Sequence, residues 1–318
     1  MLIKILIVFI TILGASYAWL TYDNQDIALK DYPRLSDTTR LKNDLLTITK
    51  TPKPRTYRHP DILDNVAAYI KTELEKCTPS VSEQSYTADE RSFKNIIASF
   101  GKTNGERIIV GAHYDVCGDQ DGADDNASGI AGLLELARLL KDKPLKYRID
   151  LVAYTLEEPP YFRTENMGSY VHAKYLKDNN IPVKGMVCLE MIGYYSEEKG
   201  SQTYPLSILT GIYGNKGNFI TVVEKMQSGA FAKEFRRNML SEQTIRTKKF
   251  KAPASLPGID FSDHLNYWQH GYSAVMITNT AFYRNKNYHT KGDTVDKLNV
   301  GHMGLVVDGV FRALMKIE

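Results

Sequence analysis

Ile108-Ile109-Val110-Gly111-Ala112-His113-Tyr114-Asp115 is followed by Gly122-Ala123-Asp124-Asp125-Asn126-Ala127-Ser128-Gly129, and then by Ile149-Asp150-Leu151-Val152-Ala153-Tyr154-Thr155. The first run reads as a buried strand and the second as a Gly/Asp-rich loop. The loop opens a helix over Ser128 to Leu140, and the third run is again a strand. Strand, loop, helix, strand is the pattern of an α/β sheet built with crossover helices. On the C-terminal side the alternation continues with a helix around Ser169 to Lys177 and strands at Met186 to Leu189 and Leu206 to Leu209. A helix around Ile220 to Met239, a strand at Ala274 to Thr278 and a terminal helix from Val300 to Ile317 complete it. On the N-terminal side, Asn95 to Phe100 and Arg107 to Ala112 flank Gly101-Lys102-Thr103-Asn104-Gly105, turn chemistry that predicts an antiparallel hairpin. Ile62, Val66, Ile70 and Leu74 form the apolar stripe of a helix over Pro60 to Lys76, and Leu35 to Lys50 has helical spacing. No repeat interrupts the pattern, so one α/β domain over residues 31–318 is expected.

Composition agrees with a folded domain. Of 318 residues, 43% are hydrophobic and 24% charged, which excludes disordered, collagen-like and multi-span membrane classes. Forty Lys and Arg against 37 Asp and Glu leave a net charge of +3, too small a surplus to hold nucleic acid through its phosphates. Cys77, Cys117 and Cys188 match neither a disulfide framework nor a CxxC zinc site. The first 20 residues, MLIKILIVFITILGASYAWL, place Lys4 before an apolar run from Ile5 to Leu20. Its length is just short of a comfortable span, and Ser16-Tyr17-Ala18 suits cleavage. Residues 1–20 are read as a signal peptide or an N-terminal membrane anchor, and 21–30 as a linker. Both readings put the domain outside the cytoplasm (periplasmic, secreted or anchored), with membrane contact only through that segment.

Ligands of such sheets gather at the carboxyl ends of the strands. The residues found there are metal-type: His113-Tyr114-Asp115 after the first strand, Glu157-Glu158 after the second, Glu190 after Met186 to Leu189, and Tyr288-His289-Thr290 beyond Ala274 to Thr278. His113 and Asp115 share one side of an extended segment, so Asp115 can accept the ring N–H of His113 and fix its tautomer. HxD alone fits a structural histidine better than a metal site. The adjacent acids of GADDNASG suit a helix cap, and also a carboxylate held between two cations. Glu157 and Glu158 point in opposite directions on an extended chain, so one can bind metal while the other reaches water. Glu190, among apolar neighbours, needs a cationic partner.

The ordered set HYD, GADDNASG, EE, LEMIGYY, SDH and YHTKGDT resembles the co-catalytic zinc aminopeptidases of metallopeptidase family twenty-eight. That family includes bacterial leucyl-type aminopeptidases and the peptidase domain of glutamate carboxypeptidase. The resemblance spans about Asn95 to Asp296. It implies a single α/β domain with a central mixed, mostly parallel β-sheet flanked by helices, and two Zn²⁺ per chain. One zinc would be held by His113 and Glu190 and the other by Glu158 and His289, with Asp124 bridging. Glu157 would be the general base, Asp115 would orient His113, and Tyr288 would stabilise the tetrahedral intermediate.

This sequence has Glu190 where the aminopeptidases usually carry Asp, as the carboxypeptidase-like branch does. Its loop after the Glu pair, from Pro159 to Ser169, is also longer than in compact members. Asp263-His264 is read as pocket structure, Cys117 as a bystander thiol, and Arg236, Arg237, Lys248, Lys249 and Lys251 as a solvated face. The expected activity is zinc-dependent removal of N-terminal residues from peptide or small aminoacyl substrates. Three rivals stand beside it: a carboxypeptidase-like member, a glutaminyl-cyclase-like mono-zinc transferase, and a non-catalytic binding domain on the same scaffold. The doubled Asp of GADDNASG speaks against the transferase, and the complete ligand set against the binding domain.

Overall fold

The computed structural model describes residues 29–318. The expected signal or anchor segment lies outside them, and among the described residues no helix is long and apolar enough to cross a membrane. The chain enters through α1 (Thr38–Thr49) and α2 (Pro60–Glu75), then forms β1 (Val81–Ala88), β2 (Arg91–Phe100) and β3 (Arg107–His113). After a short turn at Ala123–Ser128 come α3 (Gly129–Leu140), β4 (Arg148–Tyr154), α4 (Gly168–Asp178) and β5 (Val183–Glu190). The remainder comprises α5 (Leu209–Tyr213), β6 (Ile220–Lys225), α6 (Gly229–Glu242), β7 (Thr247–Ala252), α7 (His264–Gln269), β8 (Ala274–Thr278) and α8 (Val300–Met315).

One eight-stranded sheet runs in the order β1-β2-β4-β3-β5-β8-β6-β7. The central four, β4, β3, β5 and β8, are mutually parallel, while β2 joins β4 and β6 joins β8 antiparallel. The sheet is therefore mixed and its centre is parallel, as expected. The central strands are buried on both faces, which is why they read as continuous apolar runs. Val187 and Leu189 of β5 pack into the layer with α1, α2, α3, α6 and α8, while Met186 and Cys188 pack into the layer with α4 and α7. That alternation is the period-two pleat of a strand covered twice.

Four local expectations are corrected. β2 and β3 are not a hairpin: β4 lies between them, pairing Ile96 with Ala153 on one side and Ile109 with Asp150 on the other. Residues 101–106 pass over one intervening strand, a gap of about 10 Å. The hairpin is instead β1–β2, turning at Asp89 and Glu90, both with positive φ. Leu206 to Leu209 is not a strand; Leu206 and Ile208 are exposed just before α5. Ile220 to Met239 is not one helix. It divides into β6 and α6 at Gln227 and Gly229, whose φ values are +60° and +91°. Lys248 and Arg236 are not solvated: Lys248 is buried, its Nζ donating to the carbonyl of Tyr213 at 2.6 Å, and Arg236 meets the buried carboxylate of Glu224 at 2.9 Å.

Candidate active site

Because β3, β4, β5 and β8 are parallel, their carboxyl ends share one edge of the sheet. His113 closes β3, Glu157 and Glu158 follow β4, Glu190 closes β5, and the chain beyond β8 returns to the same edge at His289. The four groups from the first three strands are buried, and so is Asp125 from the turn before α3. His113 Nε2 lies 3.4 Å from Asp125 Oδ1, 3.3 Å from Glu190 Oε2 and 3.9 Å from Glu157 Oε2. His289 Nε2 lies 3.0 Å from Asp125 Oδ2 and 3.2 Å from Glu158 Oε2. The expected pairs, His113 with Glu190 and His289 with Glu158, are thus brought together.

The carboxylate between them belongs to Asp125, not to Asp124 as expected. Asp125 turns one oxygen to each imidazole. Asp124 is buried facing the other way, and its oxygens already accept from Gly193 N at 2.8 Å, Asn279 Nδ2 at 2.8 Å and Asn285 Nδ2 at 2.9 Å. With its lone pairs taken by these donors, Asp124 is a tie between loops rather than a bridge.

Several residues hold this arrangement. Asp115 accepts the backbone N–H of Glu157 at 3.2 Å and of Glu158 at 3.1 Å, and its Oδ1 lies 3.5 Å from His113 Nδ1. The expected orienting residue therefore positions both glutamates as well as the histidine. Residues that sequence reasoning did not single out complete the frame. Asp293 accepts the N–H groups of Asp124 at 2.9 Å and Asp125 at 3.0 Å. Ser262 donates to Glu190 at 2.6 Å, and Asn126 spans Leu189 O, Met191 N and Gly129 N. The fully buried Arg55 gathers the carbonyls of Tyr114, Asp121 and Gly122. A Cβ on Gly129 would meet Asn126 Oδ1 at 2.4 Å and Leu189 O at 2.6 Å, so only glycine lets α3 start this close to β5. The buried polar Asn126, Asp293 and Arg55 each sit in or beside a quoted motif or follow a turn-forming Pro; nothing in their local pattern marks them apart from ordinary loop residues.

Tyr288 stacks on His289, ring centroids 3.8 Å apart, and lines an apolar cavity that reaches Glu190. Tyr204, Phe219, Phe250, Phe261, Met276 and Tyr283 form much of its wall. His264 is buried against Trp268 and the carbonyl of Ile259, a structural place. Asp263 is buried near His113 and Glu190, and burial pushes its carboxyl up to about 7 against the pull of His113.

The electrostatics follow from crowding carboxylates in a dry place. Burial raises Glu157 well above its ordinary range, against His113 and with Glu158 adding repulsion. Burial and Asp125 push Glu158 up to about 7, against His289, and Glu190 is raised by burial against His113. For Asp125 burial is outweighed by its two imidazole partners, which hold it low. His113 and His289 are raised because their carboxylate neighbours outweigh burial. A divalent cation fits these residues: donor atoms of His113, Asp125 and Glu190 lie within 4.8 Å of one another, and the buried Glu158 Oε1 has no hydrogen-bond partner. Imidazole nitrogen and carboxylate oxygen are the donor chemistry of zinc.

The model of peptidase family M28 matches residues 95–314. The chain belongs to peptidase family M28. A relative 45% identical over 295 residues, covering 90% of each chain, is Uncharacterized protein YfbL of Escherichia coli. A Probable leucine aminopeptidase of Arthroderma otae is 28% identical over 280 residues, covering 83% of this chain and 68% of that one. Among solved structures, the Legionella pneumophila LapA aminopeptidase superposes with a TM-score of 0.69 at 18% identity, covering 92% of this chain and 78% of that one. Porphyromonas gingivalis glutaminyl cyclase superposes at 0.66 and 19% identity, covering 89% and 99%. Both share the α/β fold of the M28 chain, whose family membership makes it a metallopeptidase.

Proposed function

We propose that this M28 chain is a two-zinc aminopeptidase acting on peptides whose first side chain is large and apolar. The observation that carries the reading is Asp125 set between His113 and His289, with Glu190 and Glu158 at the two ends and an apolar cavity opening beside Glu190. His113, Asp125 and Glu190 hold one zinc in this reading, and Asp125, Glu158 and His289 the other. Zinc bound there supplies Lewis acidity, which brings the pKa of water toward neutrality and polarises a carbonyl.

The chain's own groups do the rest. Glu157, buried with its Oε2 3.9 Å from His113 Nε2, takes the proton of the attacking water and returns it to the leaving amine. Asp115 keeps Glu157 and Glu158 in place through their amides, and the Tyr288 hydroxyl donates to the oxyanion as charge develops. Glu190 and Glu157 offer carboxyl oxygens to a free α-amine, while the aromatic cavity desolvates the adjoining side chain. The N-terminal apolar run supports action outside the cytoplasm.

Purified protein assayed on aminoacyl reporters with and without a chelator tests the reading. Leucyl and phenylalanyl reporters should be hydrolysed, their N-acetylated forms should not, and chelation should abolish turnover. Release of C-terminal residues moves the assignment to a carboxypeptidase. Cyclisation of N-terminal Gln by a protein carrying one zinc moves it to the cyclase activity named for the Porphyromonas structure.

A further inference from the structure

Cys117 sits two residues beyond Asp115 and is partly exposed. Its Sγ and the donor atoms of Glu158 and His289 lie within 4.8 Å of one another. Glu158 is only 4% exposed, and its Oε1 is left without a hydrogen-bond partner in the same cluster. The thiol also borders a cleft whose walls include Tyr57, His59, Pro159 and Pro160 and which shares no lining residue with the aromatic cavity. A nitrogen, a carboxylate oxygen and a sulfur converging from three separate segments is a donor set, and thiolate is the softest zinc ligand a protein offers.

We propose that Cys117 is a direct ligand of the metal held by Glu158 and His289. This rests on the metal reading of the site above and adds a donor to it. With Asp125 Oδ2 3.0 Å from His289 Nε2, the donors at this end become Asp125, Glu158, His289 and Cys117. Four protein donors are the complement of a closed zinc site, whereas catalytic sites keep one position open. The two ends of the cluster then differ in character. The sulfur-bearing end retains its metal more tightly, and the position open to substrate lies at the His113 and Glu190 end.

The test reads the metal's surroundings rather than turnover. The full-length protein is loaded with zinc, its metal content measured, and its zinc-edge X-ray absorption recorded. Two zinc ions with one sulfur scatterer per pair, at about 2.3 Å, are the expected result. Two zinc ions with only nitrogen and oxygen neighbours overturn the assignment of Cys117 while leaving the metal reading intact; a protein that binds no zinc overturns both. Cobalt loading supplies an independent reading. The native chain and a Cys77→Ser control should show thiolate-to-cobalt charge-transfer absorption in the near ultraviolet. Cys117→Ser should lose that absorption while still binding cobalt at the His113 end. Persistence of the band in Cys117→Ser refutes the proposal. Should that variant fail to fold, the X-ray measurement on the native chain decides alone.

Discussion

Glu157 and Glu158 are neighbours held by the two oxygens of a single Asp115 carboxylate, yet they face different partners. Glu158 meets His289 at 3.2 Å, while the nearest imidazole to Glu157 is His113 at 3.9 Å. Glu158→Gln therefore replaces an anionic donor with a neutral amide, and should lower both zinc content and rate. Glu157→Gln should keep zinc and fold while lowering kcat by about 10²–10⁴-fold, the usual worth of a general base. Metal analysis beside steady-state kinetics separates the two, and zinc loss in Glu157→Gln with retention in Glu158→Gln reverses their roles. The Asp pair gives a second comparison. Asp125→Asn replaces the carboxylate set between the two imidazoles with a neutral amide and should remove most bound zinc. Asp124→Asn disturbs hydrogen bonds from Gly193, Asn279 and Asn285, so its first effect should be a lower unfolding temperature at near-normal zinc stoichiometry. The acidic and imidazole residue types at the strand ends were legible from sequence. Which of two adjacent aspartates faces inward was not, because both suit the loop equally and only the distant partners from the other strand ends distinguish them.

At the scale of elements, α4 supplies a pH-sensitive contact remote from the cluster. His172 is buried against Tyr154 and Tyr267, accepts or donates at 2.6 Å to the Tyr267 hydroxyl, and is lowered by burial to about 4. Unfolded histidine titrates near 6.5, so between 6.5 and 4 the unfolded chain binds the extra proton. The stability this residue contributes is complete above pH 6.5 and is lost as pH falls toward 4, by up to about 3 kcal/mol at about 1.4 per pKa unit. His172→Gln should flatten that acid limb in thermal unfolding measured from pH 7 to 4 at matched metal content. An unchanged limb would show that His172 is not its source. Elements with strong periodic signals, such as α2, α3, β8 and α8, were readable because burial on one or both faces writes itself into the sequence. β1 and β7 were not. Val81 to Ala88 and Thr247 to Ala252 are outer strands whose partly exposed faces carry Ser, Gln, Glu and Lys, so their strand character comes from pairing with β2 and β6 alone.

For the molecule as a whole, those same two outer strands decide how the sheet ends. Every sheet that does not close on itself presents a row of backbone donors and acceptors at each border, a template on which another chain can extend it. Here one border carries Glu83 on β1, paired with Lys71 at 3.0 Å and near Lys94, and the other carries Lys249 and Lys251 on β7. A further strand laid along either border would have to strip water from these charges, and a second copy would set lysine beside lysine. The borders are thereby guarded against edge-to-edge growth. Removing the guard on one side, with Lys249→Thr and Lys251→Thr together, should leave zinc content and kcat unchanged but shift light scattering toward larger species as concentration rises. If the variant remains as dispersed as the native chain, another feature terminates the sheet. The interior that makes the catalytic edge possible, a sheet apolar on both faces, is the same interior that makes guarded borders necessary.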